Sequence, residues 1–280
     1  MSETFQTYSR RGRTGSAVAD LPREVLEQLV ANPDGPLRRE PVVTVKDGDG
    51  VLVVRASLEL KTGFVPVAYK RVQRSSLLKR LTQTIGPNRA RQAFFAGHRL
   101  LEHGIATARP LAVVVPSRFD TAAPTWLATE WVQDAVDLAE YFARNRRTDS
   151  SNRQRTNAAT VAVAVGRLIG RMHATGITHR DLKPQNLMIR CGSLPDDVEV
   201  IAVDLDGIRF PGRISERRRW KNLSRLAIGD SGRGWPGIDR AVLGRFLLAY
   251  LEAAGLSISC RSAWQRLSAV TAARLARRAA

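Results

Sequence analysis

Residues Thr178–Asn186 read Thr-His-Arg-Asp-Leu-Lys-Pro-Gln-Asn, and the organisation of the chain is most legible outward from there. The segment is polar, yet both of its flanks are apolar. Upstream, Ala158–Ala174 is a long and largely apolar run of helical character that ends in Met172-His173, with Gly176-Ile177 before the loop. Downstream, Leu187-Met188-Ile189 opens a short strand reaching Arg190. A polar segment between two buried elements is a loop whose ends are held by the core. This loop carries a carboxylate (Asp181), an ammonium two residues later (Lys183) and an amide five residues later (Asn186). A second strand, Val198–Val203, delivers another carboxylate where its apolar run stops, in Val200–Gly207 (VIAVDLDG). Asp204 is the preferred functional group there. Asp206 lies two residues on and would face the same side if the strand continued.

The N-terminal half has a different period. After Pro41 come Val42–Val45, a Lys-Asp-Gly-Asp-Gly turn at 46–50, Val51–Leu60, a turn at Thr62-Gly63 and Val65–Val72. Asp-Gly between β-branched runs is a strong hairpin signal. Leu77–His103 reads as helix broken at Ile85-Gly86-Pro87, and two more strands are expected at Leu111–Val115 and Thr125–Val132. A short helix at Asp137–Asn145 and a polar loop at Asp149–Asn157 precede the long apolar helix. Helices fill the chain after Val203. Strand-rich then helix-rich sequence predicts an α+β fold in two lobes. Three regions are expected: a basic extension with one short helix (1–40), a five-stranded lobe (41–131) and a helical lobe (132–280).

Composition bounds the partners. Lys plus Arg number 44 against 26 Asp plus Glu, a formal charge of +18, which favours phosphate-rich partners. The 44% hydrophobic share excludes wholesale disorder. Two cysteines, Cys191 and Cys260, make no disulfide framework and predict inert thiols in a reducing compartment. No apolar run approaches the roughly 20 residues of a spanning helix. The basic stretch Ser9–Ser16 leads into Leu21–Val30 without a signal-like apolar segment. A cytoplasmic protein is expected, free or resting on the cytoplasmic face of a membrane. Nucleic acid is disfavoured, since aromatics are only 6% and no helix-turn-helix, zinc-ligand or aromatic RNA-binding motif occurs. Basic clusters at Ser9–Arg13 and Arg274–Arg278 would instead help to hold an anionic membrane surface.

The loop resembles the protein-kinase catalytic loop H-R-D-L-x-x-x-N at every fixed position. That resemblance implies Asp181 as base, Lys183 neutralising the transferring phosphoryl group, and Asn186 with Asp204 as Mg²⁺ ligands. Asp206 is a second candidate ligand or a partner for Arg180. Lys70, in Val65–Val72, resembles the strand lysine that contacts the nucleotide α- and β-phosphates. Gly48 and Gly50 form only a minimal G-x-G, readable as a phosphate cradle or as a plain turn. The backbone near Glu130 and Val132, in a hinge at Thr129–Asp134, would hold adenine. One part is missing: no Asp or Glu occurs from Lys61 to Leu101, so Gln92 stands where an acidic partner of Lys70 is expected.

More narrowly, the chain is similar to the lipopolysaccharide core kinases (Kdo/heptose kinases) over about 41–255. The similarity lies in His103–Val114, the loop itself, D-L-D-G in place of D-F-G, Arg217–Leu226 and Ile238–Leu251. Asn222 replaces an aspartate of the family's pattern. No activation segment ending in Ala-Pro-Glu is present, unlike an ordinary protein kinase. The resemblance implies ATP- and Mg²⁺-dependent phosphorylation of a sugar hydroxyl of the lipopolysaccharide inner core, with Arg217, Arg218 and Arg219 binding the anionic glycolipid acceptor. Two alternatives stay open: a protein kinase or small-molecule phosphotransferase, and a non-catalytic kinase-like scaffold that binds lipid or protein.

Overall fold

The computed structural model describes residues 4–73, 88–117, 123–145, 152–194, 197–228 and 240–279. They form a mixed α/β protein whose N-terminal part is rich in sheet and whose C-terminal part is helical. It divides into two compact units: Met1–Glu102 with Ala108–Trp131, and His103–Thr107 with Val132–Ala280.

The first unit is built on one antiparallel sheet. Its strands are β1 (Phe5–Arg10), β2 (Arg13–Val18), β3 (Val43–Gly48), β4 (Val51–Leu60), β5 (Gly63–Val72), β6 (Pro110–Pro116) and β7 (Thr125–Glu130). Their order across the sheet is β1-β2-β6-β7-β5-β4-β3. β4 shows why the sequence pattern works: Val54, Ala56, Leu58 and Leu60 are buried, while Arg55, Ser57 and Glu59 between them are exposed. Helix α1 (Arg23–Ala31) lays Leu26, Leu29 and Val30 on this sheet. It comes so close that a Cβ on Gly15 would sit 2.5 Å from Val30 Cγ2 and 2.8 Å from Leu26 Cδ1. Helix α2 (Arg89–Glu102) starts on Asn88, whose Oδ1 accepts the Ala90 and Arg91 N–H groups.

The first forty residues are therefore not an extension carrying one helix. They supply two strands that join the five lying within 41–131, so the sheet has seven strands and not five. The turn between β1 and β2 is Arg11-Gly12, with φ of 45° and 76°, a two-residue loop of the kind that matches strand twist. Arg and Gly dominate this turn, which conceals the alternation around it. Long-range bonds then tie the segment in. Asp20 takes both Nη atoms of Arg109 at 3.0 and 3.2 Å, the buried Tyr69 hydroxyl donates to Pro33 O at 2.7 Å, and Trp126 Nε1 donates to Asp34 Oδ1 at 2.9 Å.

The second unit contains β8 (Ala135–Asp137), α3 (Leu138–Asn145), α4 (Asn152–Ala174), β9 (Thr178–His179), β10 (Leu187–Cys191), β11 (Val198–Ala202), β12 (Ile208–Arg209), α5 (Glu216–Ile228), α6 (Arg240–Ala253) and α7 (Cys260–Ala279). Helix α4 begins inside the expected polar loop. Polarity alone does not end a helix, and no Gly or Pro occurs from 152 to 165 to do so. α4 and α6 touch backbone to backbone: a Cβ on Gly166 would meet Phe246 O at 2.5 Å, and one on Gly170 would meet Tyr250 O at 2.8 Å. His103–Thr107 joins this unit through Thr107 Oγ1, which donates to Ala202 O, and through Ala202 N–H, which donates to Ala106 O. The expected helix from Leu77 lies outside the described residues as far as 87.

Candidate active site

The loop leaves β9 at His179 and reaches β10 at Leu187 through a single 3₁₀ turn, Pro184–Asn186. Its geometry is fixed from below. His179 is buried, and its backbone N–H donates to Asn222 Oδ1 on α5 at 3.1 Å. Its ring Nδ1 accepts the Asp181 N–H at 3.2 Å. Gly207 is what allows this fit: a Cβ there would stand 2.8 Å from His179 Nδ1 and 3.0 Å from Asp181 N. The Arg180 N–H donates to Gly207 O at 2.8 Å, so the β12 strand and the loop clasp one another. Burial pushes the His179 imidazole below its ordinary pKa, keeping it neutral and able to accept at Nδ1.

Three functional groups are brought together on this base. Lys183 Nζ lies 3.3 Å from Asp181 Oδ2. Asn186 Nδ2 donates to Asp181 O at 2.8 Å and approaches Asp181 Oδ2 at 3.4 Å. With its nitrogen engaged by the loop, Asn186 keeps its amide oxygen, the kind of atom a hard divalent cation takes, without a hydrogen bond among the described residues. Asp181 Oδ1 has no partner among the described residues and is the oxygen open to a proton.

Asp204 is exposed and sits past the end of β11 in a left-handed conformation, with φ of 56°. The strand stops at Ala202 and Leu205–Gly207 form a 3₁₀ turn, so Asp206 is not placed by continuing strand alternation. Among the described residues no group of three or more His, Cys, Asp or Glu could hold a metal unaided. An amide oxygen and a carboxylate fit Mg²⁺ all the same, since that ion completes its shell with water and phosphate.

Under the loop runs a buried polar chain that the residue pattern does not announce. Asn222 Oδ1, which receives the His179 N–H, also faces His173 Nε2 at 3.4 Å, and His173 Nδ1 meets the Tyr250 hydroxyl at 2.9 Å. The Arg219 guanidinium lies near enough to Tyr250 to act on it electrostatically, with its Nη1 buried. The polarity is consistent along these bonds: Asn222 Oδ1 can only accept, so His173 Nε2 donates to it and His173 Nδ1 accepts from the Tyr250 hydroxyl. Burial holds the His173 imidazole near a pKa of about 4, so the chain stays neutral at its centre. Arg219 therefore turns inward. Only Arg217 and Arg218 of the expected arginine triplet are exposed, because successive helix residues point about 100° apart. Asn222 was noticeable in sequence only as a replacement, and nothing local pointed to His173 or Tyr250.

In the first unit, Lys70 lies on β5 opposite Val53 of β4 and Leu127 of β7. Gln92 is half-buried in the first turns of α2, and its side chain makes no hydrogen bond among the described residues. Gly48 and Gly50 flank Asp49 in the β3–β4 turn, where φ of 157°, 53° and 73° accounts for both glycines. Glu130 ends β7 with its N–H given to Arg109 O at 2.8 Å and its carboxylate 3.3 Å from Arg109 Nη1. Val132 is the first residue of the second unit's longer segment. A groove of about 1250 Å³ along α4, α6 and β11, lined by Arg167, Arg171, Glu199 and Arg245, contains none of the loop residues.

No curated protein matches the chain by sequence. The solved structure "WaaP in complex with acyl carrier protein" has the same kinase-like fold, with a TM-score of 0.59 and 23% identity over 84% of this chain and 86% of that one. A sequence profile of the lipopolysaccharide kinase (Kdo/WaaP) family matches residues 52–246, well over half the length, and the chain belongs to that family of sugar-hydroxyl phosphotransferases.

Proposed function

We propose that this chain transfers the γ-phosphoryl group of ATP to a sugar hydroxyl, on Kdo or heptose, of the lipopolysaccharide inner core. The observation that supports this reading best is the loop: a carboxylate with one open oxygen, braced by Lys183 and Asn186 and locked from beneath by Asn222. In this reading Asp181 Oδ1 accepts the hydroxyl proton as the sugar oxygen forms its bond to the γ-phosphorus and the bond to the leaving nucleoside diphosphate breaks. Lys183 holds Asp181 in place and offsets charge on the transferring group. Mg²⁺ would be held by the Asn186 amide oxygen and the Asp204 carboxylate, and when bound it neutralises phosphate charge. Asp206 is retained as a secondary candidate ligand. Lys70 would contact the α- and β-phosphates, with the turn glycines Gly48 and Gly50 beside them and the backbone at Glu130 and Val132 meeting the adenine.

The test is transfer of label from γ-labelled ATP to purified core lipopolysaccharide. Asp181→Asn is expected to abolish it, and undiminished transfer refutes the assignment of the base. Lys70→Ala and Asp204→Ala are expected to lose Mg·ATP binding in calorimetry while remaining folded, and wild-type affinity in both overturns the nucleotide site. Work on the cytoplasmic face of the inner membrane follows from such an acceptor, and sedimentation with anionic vesicles checks it. Acyl carrier protein, the partner in the related structure, is to be tested by gel filtration with this chain.

A further inference from the structure

The C-terminal cations reading as a membrane tail in the sequence belong to a folded helix. α7 packs on α5, and Glu216, one of the few acids nearby, is occupied by Trp220 Nε1 on its own helix and by Arg266 on α7. On α5, Arg217, Lys221 and Arg225 recur at every fourth residue, so they form one ridge about 12 Å long. From α7, Arg274 and Arg277 face the same ridge. Arg217 stands foremost around the Lys221 ammonium, followed by Arg277, Arg225 and Arg274, and together with some desolvation they lower its pKa. At the far end Arg225 is half-buried within electrostatic reach of Arg274, Asp181 and Arg180, one turn beyond Asn222, whose Oδ1 takes the His179 N–H at the base of the loop.

Among the described residues no carboxylate forms an ion pair with Arg217, Lys221, Arg225 or Arg277. Like charges at this spacing repel and disfavour the fold. A row of cations on α5 that tolerates this repulsion and runs toward the Asp181 loop has the form of an anion site beside the reacting group.

We propose that Arg217, Lys221 and Arg225 of α5, with Arg274 and Arg277 of α7, bind an anionic group of the glycolipid acceptor, a phosphate ester or a sugar carboxylate, and so present a neighbouring hydroxyl to Asp181. This deepens the lipopolysaccharide-kinase reading and rests on it. It moves the acceptor contacts from three consecutive arginines to one helix face and a second helix. A glycolipid is favoured over an acidic protein because the ridge runs toward the Asp181 loop, where only a reactant has reason to be.

The experiment is steady-state transfer to purified core lipopolysaccharide by the full chain and by the double variant Arg274→Gln/Arg277→Gln. The acceptor is used as isolated, after hydrofluoric-acid dephosphorylation, and after carboxyl reduction. The expected result is an acceptor KM at least tenfold higher in the double variant, with KM for ATP unmoved, and partial rescue by Arg274→Lys/Arg277→Lys. Whichever treated acceptor erases the difference between wild type and variant identifies the group bound. Arg261→Gln removes a charge from the start of the same helix and controls for net charge, and thermal melting controls for folding. An unchanged acceptor KM overturns the inference, as does a rise in KM for ATP instead. Loss of binding to an acidic protein with acceptor kinetics intact also overturns it. If the wild-type chain transfers no phosphate to any of the three acceptors, the functional reading itself fails and the inference falls with it.

Discussion

The two units hold their candidate site groups by different physical means. In the first, Lys70 is set by backbone register: β5 is hydrogen-bonded on both sides, and the side chain goes where strand alternation sends it. The core beneath is apolar, and its buried phenol, Tyr69, is kept protonated by desolvation and by nearby Asp34, and is satisfied by a backbone carbonyl. In the second, Asp181 sits on a loop with little ladder of its own, and side chains drawn from α4, α5 and α6 fix it through Asn222, His173 and Tyr250. A ladder is insensitive to most single substitutions, because the backbone provides it. A buried side-chain chain is not, since removing one member strands its neighbours.

The comparison can be broken most directly at the loop itself. Asp181→Asn should lower kcat by about 10²–10⁴-fold with little change in melting temperature, as expected when a positioned base is lost from an already fixed loop. A kcat within a fewfold of wild type would mean that the brace positions nothing. Acid should then separate the units. The unfolded His173 imidazole titrates near its ordinary 6.5 and the folded one at about 4, so the unfolded state binds more protons between these values. The contribution is complete above about pH 6.5, declines as pH falls, and is gone below about 4, a loss of roughly 3 kcal/mol. Urea unfolding followed by a probe in each unit should show this slope in the second unit, and His173→Gln should flatten it.

A smaller effect is expected at Asn222. Asn222→Ala strands the His179 N–H and the His173 Nε2–H and should cost about 1–3 kcal/mol, read as a melting temperature lower by several degrees together with reduced kcat. Asn222→Asp keeps an acceptor for both donors and should retain turnover while raising the His173 pKa, which NMR titration would follow. Smallest is Tyr69→Phe in the first unit. It removes the bond to Pro33 O for about 1 kcal/mol and should leave turnover unchanged. If Tyr69→Phe harmed turnover as much as Asn222→Ala, the contrast between the units would be lost.

Most strands from β3 onward and the contacts within the His179–Asn186 loop were legible because their information is local. Alternation over ten residues specifies β4, and the spacing within His179–Asn186 already contains the Asp181, Lys183 and Asn186 contacts. The N-terminal hairpin was not legible, since its burial depends on Gly15 meeting a helix that follows it and on Asp20 meeting Arg109, 89 residues away. The strand alternation considered for Asp206 does not apply for a local reason: β11 ends at Ala202, Asp204 is left-handed, and nothing in its neighbours requires that conformation.

Residue types at short spacings were thus sufficient to point to the phosphotransferase family, because the resemblance that carries it lies within one local loop. Which side chains support and feed that loop depends on partners 40 to 80 residues apart in sequence, as in His179 with Asn222 and His173 with Tyr250. Helix geometry settled the arginines in the same way. A 100° step turns Arg219 into the core and lines Arg217 up with Lys221 and Arg225, and only the packing of α7 on α5 adds Arg274 and Arg277 to that ridge.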